Sequence, residues 1–244
     1  LRGARVLGSV VSGMASLETL HLDCSECASL TLIQAFVGVK HLRECRLDFR
    51  GTAIKHVNVF GPGQGVAAQI QTLSIDFTGC TSLAELLGFE TLGRLQKLRH
   101  FECKLSDIDP GVTDARGLTS ALKSMERLET LSLVCNGCSV LSDMSGFGAL
   151  GGMKLLRECK INFRDTDLSN LRVLCHGLGS LRVLSTLSLV CSGCGYLGNL
   201  AGTEALAGLE SLRDCRLEFR SMAFSEIGPL MTGLSGMRKL ETLW

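Results

Sequence analysis

The residues of this chain that could do chemistry are its cysteines. Three pairs share the spacing Cys-x-x-Cys: Cys24 with Cys27, Cys135 with Cys138, and Cys191 with Cys194. In isolation, such a pair is half of a zinc site or a redox-active dithiol. The pairs are two or more repeats of the chain apart, and strand spacing puts neighbouring pairs about 10 Å or more from each other, too far to share one ion. We therefore expect structural thiols and no metal, with a disulfide within a pair as the alternative.

Phe77 stands where the first cysteine of the pair stands in the related repeats, which is typical of a small buried apolar residue rather than a ligand. Twelve cysteines without an evident pairing scheme favour a reducing compartment, and the chain has no N-x-[ST] sequon. The sequence therefore predicts an intracellular location, either the cytoplasm or the interior of an organelle.

Motifs typical of catalysis do not occur in this sequence. It contains no G-x-x-x-x-G-K-[ST], H-E-x-x-H or G-x-S-x-G, and its five histidines form no local cluster. The glycine-rich residues 61–65 lack the Lys-Ser/Thr that follows a phosphate-binding loop. We expect no enzymatic activity and no cofactor.

Charge and hydropathy also limit the function. The net charge is +1 and 20% of the 244 residues are charged, so bulk electrostatics do not favour nucleic acid or an anionic membrane surface. The most apolar stretch, near the start, is too short and too rich in Gly and Ser to span a bilayer. A soluble domain is predicted.

The chain is built from sequence repeats, and these determine where the cysteines lie. An apolar motif of the form L-x-x-L-x-L, in which Ile, Phe or Cys replaces a Leu in several copies, begins at residues 17, 42, 70, 98, 128, 156, 184, 212 and 240, and from 128 onward the spacing is 28 residues. Odd repeats read like LETLSLVCNGC at 128, and even repeats like LRECRLDFR at 42. A fixed period of this length is typical of a solenoid. We predict one domain over 1–244, with a helical half-repeat at 1–16, eight repeats and a partial repeat at 240–244.

Each repeat divides into two halves. Its positions 4, 6 and 8 are apolar with period two, which predicts a strand. Apolar spacings of three and four follow, as at Phe89, Leu92 and Leu95 or at Leu118, Leu122 and Met125, and predict a short amphipathic helix. We expect a loop at 59–65, where Pro and Gly exclude a regular helix, and a turn in the extra residues near Pro110.

The pattern resembles the leucine-rich repeat family over essentially the whole chain, with a period similar to that of the ribonuclease-inhibitor-like class. The resemblance implies an α/β solenoid, a right-handed horseshoe with a parallel β-sheet on its concave face and short helices on its convex face. The family usually has Asn or Cys at position 9 of the repeat, but here only Asn136 matches, and Cys at position 11 of odd repeats replaces the family's Leu.

Function is expected on the exposed concave columns of the sheet. At position 5 we single out His21, Arg46, Glu102, Lys160 and Arg216, at position 3 Glu44, His100, Glu158 and Asp214, and at position 7 Val134 and Val190, which form a smoother strip. Of the residue types displayed here, Arg is the one most enriched among interface anchors. Alternatively, opposite charges on one strand pair with each other and only solvate the sheet.

Two functions fit these columns. The first is a non-enzymatic protein–protein interaction module that binds a protein partner through the concave face. The alternative is an architectural subunit of a large multiprotein assembly, attached by its convex face or its ends.

Overall fold

A single parallel sheet organises the molecule. The computed structural model describes residue 11 and residues 13–32, 39–56, 69–83, 86, 88–108, 115–138, 144–224 and 226–244. The sheet is formed by β1 (Thr19–Asp23), β2 (Glu44–Asp48), β3 (Thr72–Asp76), β4 (His100–Lys104), β5 (Thr130–Val134), β6 (Glu158–Asn162), β7 (Thr186–Val190), β8 (Asp214–Glu218) and β9 (Thr242–Leu243). Their order in the sheet is their order in the chain.

Strand register follows the repeats. Thr19 lies opposite Glu44, Glu44 opposite Thr72, and His100 opposite Thr130, so residues at the same repeat position are neighbours on adjacent strands. Equal positions therefore stack into columns across the sheet, whatever the length of the connecting segment. The predicted inward columns are the core: Leu73, Ile75 and Phe77 are almost fully buried.

Helical segments lie behind the sheet and alternate in type. Where this helical half of an even repeat is described, in the repeats starting at 98, 156 and 212, it carries an α-helix: α1 (Arg116–Lys123), α2 (Arg172–Gly179) and α3 (Gly228–Ser235). Odd repeats carry the 3₁₀ helices η1 (Phe89–Arg94), η2 (Ser145–Gly152) and η3 (Thr203–Gly208). The amphipathic helix predicted at Phe89 is thus a 3₁₀ helix. Its apolar residues are spaced strictly by three, which matches three residues per turn.

Close approach between these segments requires glycine, as the contact between α2 and η3 shows. A Cβ on Gly179 of α2 would overlap the carbonyl oxygen of Ala205 in η3, and a Cβ on Gly208 would overlap the carbonyl oxygen of Gly179. Because neither glycine has a Cβ, α2 and η3 pack backbone against backbone. The alternation of repeat types in the sequence therefore appears as an alternation of tightly packed helix types.

Several predictions fall on residues outside the described ranges. They include most of the half-repeat at 1–16, the loop at 59–65, and the greater part of the extra residues near Pro110. Of the half-repeat's apolar positions, Val11 is buried, whereas Met14 is 45% exposed. Within the described residues, no helix has the length and hydropathy needed to cross a membrane.

Candidate functional site: the open face of the sheet

The side of the sheet turned away from the helices displays positions 3, 5, 7 and 9 of each repeat, and we call it the open face. The residues predicted for it lie on it with different exposures. Exposed are His21, Arg46, His100, Lys160, Asp214 and Arg216; half-buried are Glu44, Glu102, Val134 and Glu158; buried is Val190.

A shallow depression of about 330 Å³ crosses the open face from β2 to β6. It brings together five of the predicted residues: Arg46, His100, Glu102, Glu158 and Lys160. The depression is formed because these residues share columns on adjacent parallel strands, although they are far apart in the sequence. Its lining is mainly polar, so it suits a hydrogen-bonding and charged ligand surface more than an apolar one.

Charges on single strands pair with each other. Glu44 accepts from the Arg46 guanidinium at 2.8 Å and contacts His21 Nε2 at 3.1 Å, and the hydrogen bond with His21 is the main reason that the pKa of Glu44 is lowered. Lys160 and Glu158 lie 2.5 Å apart. The cations nevertheless stay accessible, since the side chains of Arg46 and Lys160 are 60% and 56% exposed. Pairing therefore orients these cations without hiding them.

Aspartates form a row at position 7 of the first three strands. Asp23, Asp48 and Asp76 lie opposite one another in register, and each carboxylate accepts the backbone N–H of the residue two positions later. Arg50 donates to Asp48, and this bond is the main reason that the pKa of Asp48 is lowered. Lys104 lies 3.3 Å from Asp76. This end of the open face is consequently rich in fixed carboxylates.

Arginines surround one carboxylate near the other end of the sheet, on β8. Glu218 is buried, with a side chain only 8% exposed, and accepts from Arg164 at 2.7 Å and from Arg216 at 2.8 Å. Arg220 Nε lies 3.6 Å from the same carboxylate, and the Ser192 hydroxyl donates to it at 3.3 Å. We call Arg164, Arg216 and Arg220 the arginine cluster. Its contacts, that with Arg216 first, lower the pKa of Glu218.

The arginine cluster corrects the prediction for Val190. The sequence predicted that Val190 lies in an exposed strip, but this residue is only 7% exposed. The ion pair from Arg164 of the β6 repeat to Glu218 on β8 spans β7, and Val190 lies in register between Asn162 and Glu218. The bridge therefore covers the valine. Val134, which has no such bridge above it, stays half-buried.

Sequence reasoning did not select Glu218 or Arg220 as site residues. The signal that could have found them is the column pattern: among even repeats, only the one at 212 has Glu at position 7 with Arg at position 9. Arg164 has the same repeat position as Arg220, two repeats earlier. Once the strand register is known, arginines at position 9 of two repeats, together with a glutamate at position 7 of the later repeat, predict a shared ion pair.

The cysteines form hydrogen bonds within the core. All twelve lie in the described residues and all are free thiols; ten are buried, Cys24 is half-buried and Cys27 is exposed. In the odd repeats starting at 70, 128 and 184, the thiol at position 11 donates to the carbonyl oxygen at position 8 of the preceding repeat, as Cys80 does to Phe49 at 2.9 Å and Cys194 to Phe163 at 3.0 Å. Cys138 donates likewise to Leu105.

Threonines complete this arrangement in two even repeats. Thr52 donates to the carbonyl oxygen of Phe49 at 2.7 Å, and Thr166 donates to that of Phe163 at 2.8 Å. Each hydroxyl also lies 3.4 Å from the thiol of the next repeat. These thiol and hydroxyl contacts tie adjacent repeats together. Burial raises the pKa of Cys138 to about 12, which makes it a poor nucleophile.

No metal site is formed among the residues that the structure describes: no three His, Cys, Asp or Glu side chains are grouped so as to hold an ion. A larger cavity of about 720 Å³ lies beside β8, lined by Arg216, Glu218, Phe219, Arg220 and Trp244 among others. Another of about 550 Å³ lies on the helix side, between η2 and α2.

Comparison with known proteins identifies the fold. No protein-family model matches the chain, and no curated protein is similar to it in sequence. Among solved structures, internalin C2 from Listeria monocytogenes is similar at a TM-score of 0.52 and 16% identity, over 97% of this chain and 83% of that one. The fold is therefore that of a leucine-rich repeat protein, as predicted: an α/β solenoid with a parallel sheet and short helices.

Two other solved structures show weaker likenesses. Human trophoblast glycoprotein is similar at a TM-score of 0.49 and 16% identity, over 85% of this chain and 75% of that one. A plant peptide hormone receptor, solved in complex with RGF2, is similar at 0.44 and 12% identity, over 96% of this chain and 36% of that one.

Proposed function

We propose that this chain is a non-enzymatic protein-interaction module that binds a protein partner through its open face, the concave face of the predicted horseshoe. The observation that carries the proposal is the set of in-register cations that stay more than half exposed on a rigid sheet: Arg46, Lys160 and Arg216 are 60%, 56% and 56% exposed. Each is held by a neighbouring carboxylate. Ordered, accessible charges of this kind provide specificity and steer association.

Rigidity supports the same function. Nine strands in continuous parallel register, tied by thiol and hydroxyl bonds, keep the display columns fixed. Binding a partner then costs the solenoid little conformational entropy, because its binding surface is already ordered. We propose further that the chain acts as a scaffold in a reducing compartment, because its twelve cysteines are all free, and that its partner is not a nucleic acid, because the net charge is only +1.

The test is affinity purification from the native source with the triple variant Arg46→Glu/Lys160→Glu/Arg216→Glu. We expect the variant to lose one specific protein that wild type retains, because charge reversal repels a partner that contacts these columns. A matched control, Lys123→Glu/Arg172→Glu/Arg238→Glu, changes charge equally on the helix side and should retain it. Thermal melts of both variants establish that folding is intact.

An architectural subunit, attached by its helix side or ends, is the second proposal. Exposed apolar side chains near α3 favour it: Ile227 and Met231 are 57% and 54% exposed. The same purification separates the two functions. Retention of one large complex by the open-face variant, with its loss in the helix-side variant, would contradict the first proposal and support the second.

A further inference from the structure

The two ends of the open face carry different charge. At positions 5, 7 and 9, the repeats starting at 17, 42, 70 and 98 carry three cations, Arg46, Arg50 and Lys104, against four anions, Asp23, Asp48, Asp76 and Glu102. We call this region the N-terminal half. At the same positions, the repeats starting at 128, 156, 184 and 212 carry four cations, Lys160, Arg164, Arg216 and Arg220, against one anion, Glu218. This region is the C-terminal half. Position 3 adds Glu44 to the N-terminal half and Glu158 and Asp214 to the C-terminal half, so with neutral histidines the net charges are −2 and +1.

The arginine cluster has more hydrogen-bond donors than its own carboxylate can use. A guanidinium has five N–H donors and a carboxylate accepts about four hydrogen bonds, so most of the donors of three arginines remain for another acceptor. Arg164, Arg216 and Arg220 are 47%, 56% and 77% exposed, whereas Glu218 is buried beneath them. The buried carboxylate therefore orders three guanidiniums and leaves two positive charges uncompensated at the surface.

Resting on the proposed function, we propose that the C-terminal half of the open face binds an extended acidic segment of the partner protein, with its carboxylates on the arginine cluster. Guanidinium and carboxylate groups match in shape and charge and form paired hydrogen bonds. The cluster's arginines are already ordered by Glu218, so binding costs less side-chain entropy than at isolated arginines.

Strand spacing gives the pattern of the acidic segment. Arg164 and Arg220 occupy the same repeat position two strands apart, which is about 10 Å at the usual strand separation. A segment in the extended polyproline II conformation advances about 3.1 Å per residue with three residues per turn, so acidic residues three positions apart lie on the same side and reach both arginines when the segment crosses the strands. Lys160, in the β6 repeat with Arg164, is paired with Glu158 on the same strand, so the arginine cluster carries the uncompensated charge.

The N-terminal half fixes the orientation of such a segment. The aspartate row of Asp23, Asp48 and Asp76 would repel carboxylates placed over β1 to β3. An acidic segment is therefore held at one end of the face and excluded from the other. Repulsion at the wrong position contributes to specificity in the same way as attraction at the right one.

Fluorescence anisotropy with a defined probe tests this inference. The probe is a labelled, unstructured peptide of about twelve residues with Asp at every third position and Gly and Ser elsewhere; the matched peptide has Asn in place of Asp. We expect only the Asp peptide to bind, and Arg164→Gln/Arg220→Gln to weaken it about tenfold or more. The control Arg50→Gln/Lys104→Gln, which removes two cations from the N-terminal half, should not weaken it.

Three results would overturn the inference: no binding of the Asp peptide, equal loss in the cluster variant and the control, or tighter binding of a single-stranded oligonucleotide of equal charge. Failure here differs from failure of the proposed function. If the open-face variant loses its native partner but the Asp peptide does not bind, the interaction role stands and the acidic chemistry is wrong.

Discussion

The first and fourth odd repeats have similar sequences and different environments. Residues 17–41 begin LETLHLDCSEC, and residues 184–211 begin LSTLSLVCSGC. In the fourth, Cys191 and Cys194 are fully buried, and Cys194 donates to the carbonyl oxygen of Phe163. In the first, Cys24 is half-buried and Cys27 is exposed. The same Cys-x-x-Cys motif is thus core in one repeat and surface in the other.

Neighbouring repeats account for the difference. Cys194 follows β7, which lies between β6 and β8, so the preceding repeat provides its hydrogen-bond acceptor and helps to bury it. In contrast, β1 is the first strand of the described sheet. The open face differs in the same way: Asp23 is exposed at position 7, while Val190 is covered by the bridge from Arg164 to Glu218. The repeat motif therefore determines where a residue lies in the fold, whereas the adjacent repeats determine whether its side chain is buried and which groups it contacts.

Thiol labelling should show the largest contrast between the two repeats. In the folded chain near neutral pH, we expect iodoacetamide to modify Cys27 rapidly. The reaction at Cys191 and Cys194 should be slower by a factor of about 10³ or more, because those thiols must first be exposed by unfolding. Mass spectrometry of digests resolves each site. In denaturant all twelve should react alike; a folded-state rate for Cys194 within about tenfold of that for Cys27 would contradict the burial described here.

Alanine substitutions should sharpen the comparison energetically. Cys138→Ala should cost about 2–3 kcal/mol of unfolding free energy, because Ile108 replaces the threonine that would otherwise help to satisfy the Leu105 carbonyl. Cys194→Ala should cost only about 1–2 kcal/mol, because Thr166 still donates to Phe163.

Cys27→Ala is the control for that series, with an expected change below about 0.5 kcal/mol because the residue is exposed. Urea unfolding of the three variants measures the differences. Equal costs for the substitutions at 138 and 194 would show that the threonine does not share the carbonyl with the thiol.

Alkaline pH should reveal a smaller effect per residue. Burial raises the pKa of Cys159 to about 12, whereas a thiol in the unfolded chain ionises near 8.5. Stability contributed by the protonated thiol is present below about pH 8.5 and is lost as pH rises toward the folded-state pKa. Cys159→Ala should therefore make the decline of unfolding free energy shallower by about 1.4 kcal/mol per pH unit.

The substitution Leu155→Ala provides the control: Leu155 is exposed and does not ionise, so its replacement should leave that slope unchanged. Unfolding curves in urea at several pH values between about 8 and 10 provide the measurement. A slope that is identical in wild type and Cys159→Ala would mean that the buried thiol does not stay protonated above its ordinary pKa.

Much of the fold is predictable from this sequence because the same inward-facing apolar positions recur in every repeat. The strand motif predicts β1 to β9 and the buried column that includes Phe49, Phe77 and Phe163. The open-face columns are equally readable, since inward and outward residues alternate. The type of the outer helix was not predicted, although the strict three-residue spacing of Phe89, Leu92 and Leu95 carried the signal for 3₁₀ geometry.

The periodic part of this protein can be read from its residues alone: which of them form strands, which positions face inward, and how odd and even repeats alternate. The contacts between repeats become visible only in the folded chain, and they include the bridge from Arg164 to Glu218, the burial of Val190 and the thiol bond from Cys194 to Phe163. The physical reason is that periodicity depends on residues within one repeat. An ion pair or a buried thiol depends on partners about 30 to 54 residues away, and those partners become neighbours only when the strands lie in register.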